Sequence, residues 1–123
     1  MIKNSVVVKS ILSLMRYINS PEDEINRLMA NYELASSSSP GSDSVVEQAV
    51  ARFREEAMIE DRLDKLTALS SKSLYEMSEG IATVINARSD INQISYLQAF
   101  QDVILSYMGQ NGSALSGFLD WWD

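Results

Sequence analysis

Residues 5–24 read SVVVKSILSLMRYINSPEDE, and the fold follows from how this stretch is punctuated. Val7, Ile11, Leu14 and Ile18 recur at spacings of four, three and four, which is one face of an α-helix. Val8, Leu12 and Met15 widen that stripe beyond the needs of a one-sided surface helix. The pattern therefore predicts a first helix buried on more than one side. Ser20-Pro21-Glu22-Asp23-Glu24 then ends it and starts another. Ser20 is a residue type that caps free backbone N–H groups. Pro21 suits the first helical position, because its missing N–H would be unpaired there, and the acids sit at the positive end of the helix dipole. Ile25, Leu28, Met29 and Tyr32 follow on one face of a second helix. So short a connection implies an antiparallel or sharply angled pair.

Upstream, MIKNSVVVKSILSLM places Lys3 ahead of an apolar stretch, as a signal peptide does. Lys9 and the serines interrupt it and no A-x-A cleavage pattern follows, so it reads as an amphipathic helix. Downstream, Ala35 to Asp43 reads ASSSSPGSD, serine-rich with a proline and a glycine, and is expected to be a flexible linker over 35–43. Ser44-Val45-Val46-Glu47 is a capping box. Val46, Val50, Phe53 and Ala57 form a stripe, which then shifts to Ile59, Leu63 and Leu66. It resumes after a serine patch with Leu74, Met77, Ile81 and Val84. Residues 45–88 read as one long helix or as two, with the break near Ser70–Lys72 or Gly80. Asp90 with Gln93 marks a further start, and Ile94, Leu97, Phe100, Ile104 and Tyr107 follow at helical spacing. Gly109 and Gly112 end that helix, and Ser113 is placed to cap a last short turn carrying Leu115, Phe118, Leu119 and Trp122. No alternating β-run and no internal repeat is evident. The expectation is all-α: one domain over 1–123, with four to five helices. They would form an antiparallel helical hairpin or bundle built on the two longest, coiled-coil-like in part.

The chain has no histidine and no cysteine in 123 residues. That removes the common general base, the common metal ligands and the strongest nucleophile together. Asp61 with Asp64, and Glu76 with Glu79, are carboxylate pairs one helical turn apart, but their polar neighbours read as open solvent. No serine lies in a G-x-S-x-G or S-x-x-K arrangement beside a base, and Gly109-Gln110-Asn111-Gly112 follows a helix and lacks the lysine of a phosphate loop. No catalytic residue, cofactor or metal is expected, and the chain reads as non-enzymatic.

The net charge is −7, from 10 basic and 17 acidic side chains, and it repels both nucleic-acid backbones and anionic membrane surfaces. No apolar run is long enough for a membrane span. The acids gather at Asp43, Glu47, Glu55, Glu56, Glu60, Asp61 and Asp64, against three arginines in the same stretch. They read as solvated helix faces or as an acidic surface for a basic partner. The methionines scattered along the stripes read as core filling. The C-terminal GFLDWWD puts Phe118, Leu119, Trp121 and Trp122 within five residues of each other at a chain end. They are read as docking on the chain's own core or as a partner-binding anchor, since Trp is enriched among binding hot spots.

Ala82-Thr83-Val84-Ile85-Asn86-Ala87-Arg88-Ser89-Asp90-Ile91-Asn92-Gln93-Ile94-Ser95-Tyr96 is similar to the C-terminal helix of the extracellular filament proteins of type III secretion systems. Those helices run through an Ala-Arg-Ser-Asp segment, then an apolar residue and a nearby Tyr. This chain continues to Asp123, where those proteins end sooner. The resemblance implies a bacterial secretion-related assembly subunit or its chaperone, placed in the cytoplasm or secreted. The leading expectation is a helical protein–protein interaction module, an assembly subunit or chaperone-like protein, that holds another protein or a second copy of itself through apolar helix faces. The alternative is an acidic inhibitor or immunity-type protein that blocks a basic site on a toxin or nuclease.

Overall fold

The computed structural model describes residues 5–35 and 45–123, with the backbone alone at 35, 45–52 and 55. The start Met1–Asn4, most of the Ser-rich linker and the Ser44–Glu47 capping box lie outside the residues and side chains so described.

Among the described residues the chain is all-α, with six α-helices and no strand. They are α1 Val6–Asn19, α2 Glu24–Ala35, α3 Val45–Ala68, α4 Leu74–Val84, α5 Ile94–Asn111 and α6 Leu115–Trp122. The count exceeds the expected four to five because the 45–88 stretch is two helices and the C-terminal segment is a helix of its own. Short 3₁₀ turns at Leu69–Ser71 and Ala87–Ser89 link α3 to α4 and α4 to α5.

The centre of the fold is α1. Val7, Val8, Ile11, Leu12, Leu14, Met15, Tyr17 and Ile18 are all buried, so apolar groups point inward around most of the helix. A helix this apolar needs neighbours on several sides, and α1 touches each of the other five. The two longest helices, α3 and α5, are not the organising pair. Instead α3 packs on α1, α2 and α4, and α5 on α1 and α4.

The α1–α2 connection forms an antiparallel hairpin. Asn26 Nδ2 donates to the Arg16 carbonyl at 3.3 Å, and Ser10 Oγ donates to Glu33 Oε2 at 2.8 Å, so numbers rise along α2 as they fall along α1. The cap of α2 is Asp23 and not Ser20. Asp23 Oδ1 accepts from the N–H groups of Ile25 and Asn26 at 2.9 and 3.1 Å. Ser20 instead closes α1, donating its N–H to the Arg16 carbonyl at 3.1 Å. Pro21 occupies the tight turn between them, where Ser20 O accepts from Asp23 N at 3.1 Å. Proline's fixed φ suits the second position of a turn as well as the first position of a helix, and here the turn wins.

The break between α3 and α4 falls in the serine patch, because Ser73 caps α4 by accepting from Glu76 N at 3.2 Å. Gly80 lies inside α4 and breaks nothing. Its missing side chain admits Leu69: a Cβ there would sit 2.6 Å from Leu69 Cδ2. α4 ends at Val84, followed by Asn86 at φ +54°, a left-handed conformation that Asn tolerates better than most residues. The segment Ala82–Tyr96 is therefore not one helix here. It crosses the end of α4, a 3₁₀ turn and the start of α5. Gly112, at φ +84°, ends α5. α6 then folds back on α5: ring centroids of Tyr107 and Phe118 lie 5.3 Å apart, and those of Phe100 and Trp122 5.2 Å apart.

Two capping side chains serve distant helices. Gln93 does not cap α5. Its Oε1 accepts from Ser5 Oγ at 2.9 Å and from Val7 N at 3.4 Å, completing the N-terminus of α1. Ser113 does not cap α6. Its Oγ accepts from Leu74 N at 2.9 Å, at the start of α4.

Candidate functional site

The C-terminal aromatic residues belong mainly to the core. Phe118, Leu119 and Trp122 are buried, and only Trp121 is half-exposed, at 54%. Phe118 meets Phe100 edge-on with centroids 6.1 Å apart, and Trp121 leans on Tyr107 at 5.1 Å. Edge-to-face pairs of this kind add to what burial alone gives. Arg16 Nη2 meets Asp123 Oδ1 at 3.2 Å and ties the last residue to the end of α1. Of the four residues read as a partner anchor, three are turned inward and one keeps an accessible face.

The acid pairs are ordinary in setting. Asp61 is paired with Lys65 at 3.1 Å on an exposed surface. Glu79 Oε1 accepts from Arg88 Nη2 and from Gln101 Nε2, each at 2.6 Å, joining α4 to α5. Buried Gln101 also donates to Ser78 Oγ at 3.3 Å, and Ser78 donates to the Tyr75 carbonyl at 2.7 Å. No buried side-chain polar atom among the described residues lacks a partner. No three of the described Asp and Glu residues cluster to hold a metal ion, and no described helix is long and apolar enough to cross a membrane.

The surface that departs from an ordinary exterior is on α2 and α3. The stripe Ile25, Leu28, Met29 and Tyr32 does not face the core. Ile25 is 74% exposed, Leu28 72% and Tyr32 68%, and Phe53 on α3 is 74% exposed. Single exposed apolar residues need no explanation, but a contiguous set marks an interaction surface. What α2 buries is Ala30 and Leu34, on nearly the opposite side from the stripe at 100° per residue. Beside the stripe, α2 and α3 enclose an open groove of about 770 Å³. It is lined by Arg27, Asn31 and Tyr32 on one wall and by Phe53, Glu56, Ala57, Ile59, Glu60 and Leu63 on the other. Tyr32 belongs to both stripe and groove. Among the described residues nothing covers either.

Periodicity could not reveal this site, because an exposed stripe and a buried one share the same spacing. One signal was present in α3. The stripe through Phe53 and Ala57 and the stripe through Ile59, Leu63 and Leu66 stand about 140° apart round the helix. Only the second supplies buried residues, Leu63 and Leu66. A stripe that changes face within one helix leaves part of itself unburied.

No protein family, no characterised protein and no solved structure matches this chain.

Proposed function

We propose that the chain is a non-enzymatic protein-binding module, an assembly subunit or chaperone-like protein, that holds another protein on the α2–α3 face. The observation that carries this reading is the joined exposure of Ile25, Leu28, Tyr32 and Phe53 beside a groove. Apolar surface of this extent costs solubility unless something covers it in use. Grooves between two helices are a common seat for a third, whose apolar ridge fills the space between them. Trp121 makes a smaller second contact point. The resemblance of Ala82–Tyr96 to secretion filament helices falls on a helix break in this chain, so the proposal does not lean on it.

Photo-cross-linking in the native host tests the reading. A photoreactive residue at position 53 should trap one protein, and the same residue at exposed Asp102 on α5 should not. Equal trapping at both positions, or none, removes the proposal. The competing reading, an acidic inhibitor of a basic site, draws on the net charge of −7. Its association rate would fall steeply with salt, whereas an apolar helical interface keeps most of its affinity.

A further inference from the structure

On α3 three acids line up with Phe53. Phe53, Glu56, Glu60 and Asp64 follow at spacings of three, four and four, so they share one face. The structure places Glu56 and Glu60 in the groove wall and leaves Asp64 exposed. Arg54, Arg62 and Lys65 fall on the other side of the helix at 100° per residue, and Lys65 is engaged by Asp61 at 3.1 Å. Three acids in one row, each four residues from the next, repel each other and destabilise the helix that carries them. Among the described residues that line the groove only Arg27, on the opposite wall, carries positive charge. Among the described lining residues the groove thus carries two acids against one base, beside an exposed apolar stripe.

We propose that the α2–α3 groove receives an amphipathic helix of a partner protein whose apolar face is flanked by lysine or arginine. This rests on the reading of the groove as a docking site and adds the chemistry of its occupant. The apolar stripe from Ile25 to Tyr32 spans two turns, about 11 Å of helix, so the occupant presents anchors at i, i+3 or i+4, and i+7. Its basic flank lies along Glu56, Glu60 and Asp64. A second copy of this chain is a poor occupant. Each copy carries −7, and two such grooves facing each other would oppose their acid rows.

Two fluorescein-labelled synthetic helices, each about five turns long, test this with the whole 123-residue chain. Both carry leucines at i, i+4, i+7 and i+11. One is flanked by lysines and the other by glutamates. By fluorescence anisotropy the lysine helix should bind at least about tenfold more tightly than the glutamate helix. Glu56→Gln/Glu60→Gln/Asp64→Asn should erase most of that preference and melt no lower than the native chain, because it relieves repulsion within α3. Phe53→Ser, at an exposed position, should weaken both helices with the fold intact by circular dichroism. If Phe53→Ser changes neither helix, or neither binds, the docking reading itself fails. If Phe53→Ser weakens both but their affinities are equal, docking stands and the basic partner is wrong. A stable dimer by sedimentation that Phe53→Ser dissolves would make the occupant a second copy and overturn the proposal.

Discussion

Gln93 stands where the chain turns into α5, yet its carboxamide completes the N-terminus of α1 with Ser5. A helix start leaves backbone N–H groups without intrahelical partners, and a side-chain oxygen that reaches them restores what folding removed from water. Gln93→Ala takes an acceptor from Ser5 Oγ and Val7 N at the end of the most buried helix. The expected cost is about 1–2 kcal/mol, a fall of roughly 4–8 °C in melting temperature for a domain of this size. Gln98→Ala, at an exposed glutamine on α5, should leave the melting temperature unchanged. Equal melting temperatures for the two variants would show that the cross-chain cap adds nothing. The same residue shows where sequence reading stops. Ser20 and Ser113 were legible as helix-end residues because short hydroxyl side chains compete for backbone groups, and Gln93 because it follows Asp90 at capping-box spacing. Which end each serves was not legible. Gln93 reaches α1 and Ser113 reaches α4, and both partners are set by how distant segments come together.

At the scale of elements, spacing located α1, α2 and α5 to within a few residues, since 3.6-residue periodicity is a local property, but it left 45–88 as one helix or two and read α6 as a short turn. It could not rank the stripes. Ile25, Leu28, Met29 and Tyr32 have the same spacing as residues of α5 that are buried. Whether a stripe is buried depends on what meets it, and α2 turns Ala30 and Leu34 to the core instead. In α6 adjacent residues divide between the two fates. Trp122 is 8% exposed and lies edge-on to Phe100 at 5.2 Å, while Trp121 is half out. Trp122→Ala empties a packed site that the short α6 cannot collapse to fill. It should cost about 3–5 kcal/mol, a large part of the roughly 5–15 kcal/mol that holds a domain together. Trp121→Ala removes a tilted contact with Tyr107 and should cost about 1 kcal/mol or less. Urea denaturation of both variants gives the two values. Similar losses from each would mean that α6 docks through both rings. A loss of partner affinity confined to Trp121→Ala would extend the docking surface to the C-terminus.

Across the whole molecule, stability is unevenly distributed. The heart is α1 with α4, α5 and α6, where Ile11, Leu14, Leu74, Ile81, Phe100 and Phe118 are fully enclosed. α2 lies closely along α1, yet the α2–α3 side contributes few buried side chains. α2 buries Ala30 and Leu34, and α3, over its described side chains, buries Leu63 and Leu66. Regions with few buried apolar contacts open at lower free energy than the global transition, and binding surfaces are drawn from them. Native-state hydrogen exchange should therefore show amides of α2 and of Phe53–Arg62 exchanging well before those of α1, α4 and α5. The lysine-flanked helix should slow exchange in α2 and α3 and leave the centre unchanged, because a ligand stabilises only the conformations it binds. Slow, uniform exchange through all six helices would contradict this division. It would also imply that the exposed stripe on α2 rests on a surface as rigid as the core. A partner would then gain no ordering of α2 and α3 on docking, and its affinity would come from the groove's shape and charge alone.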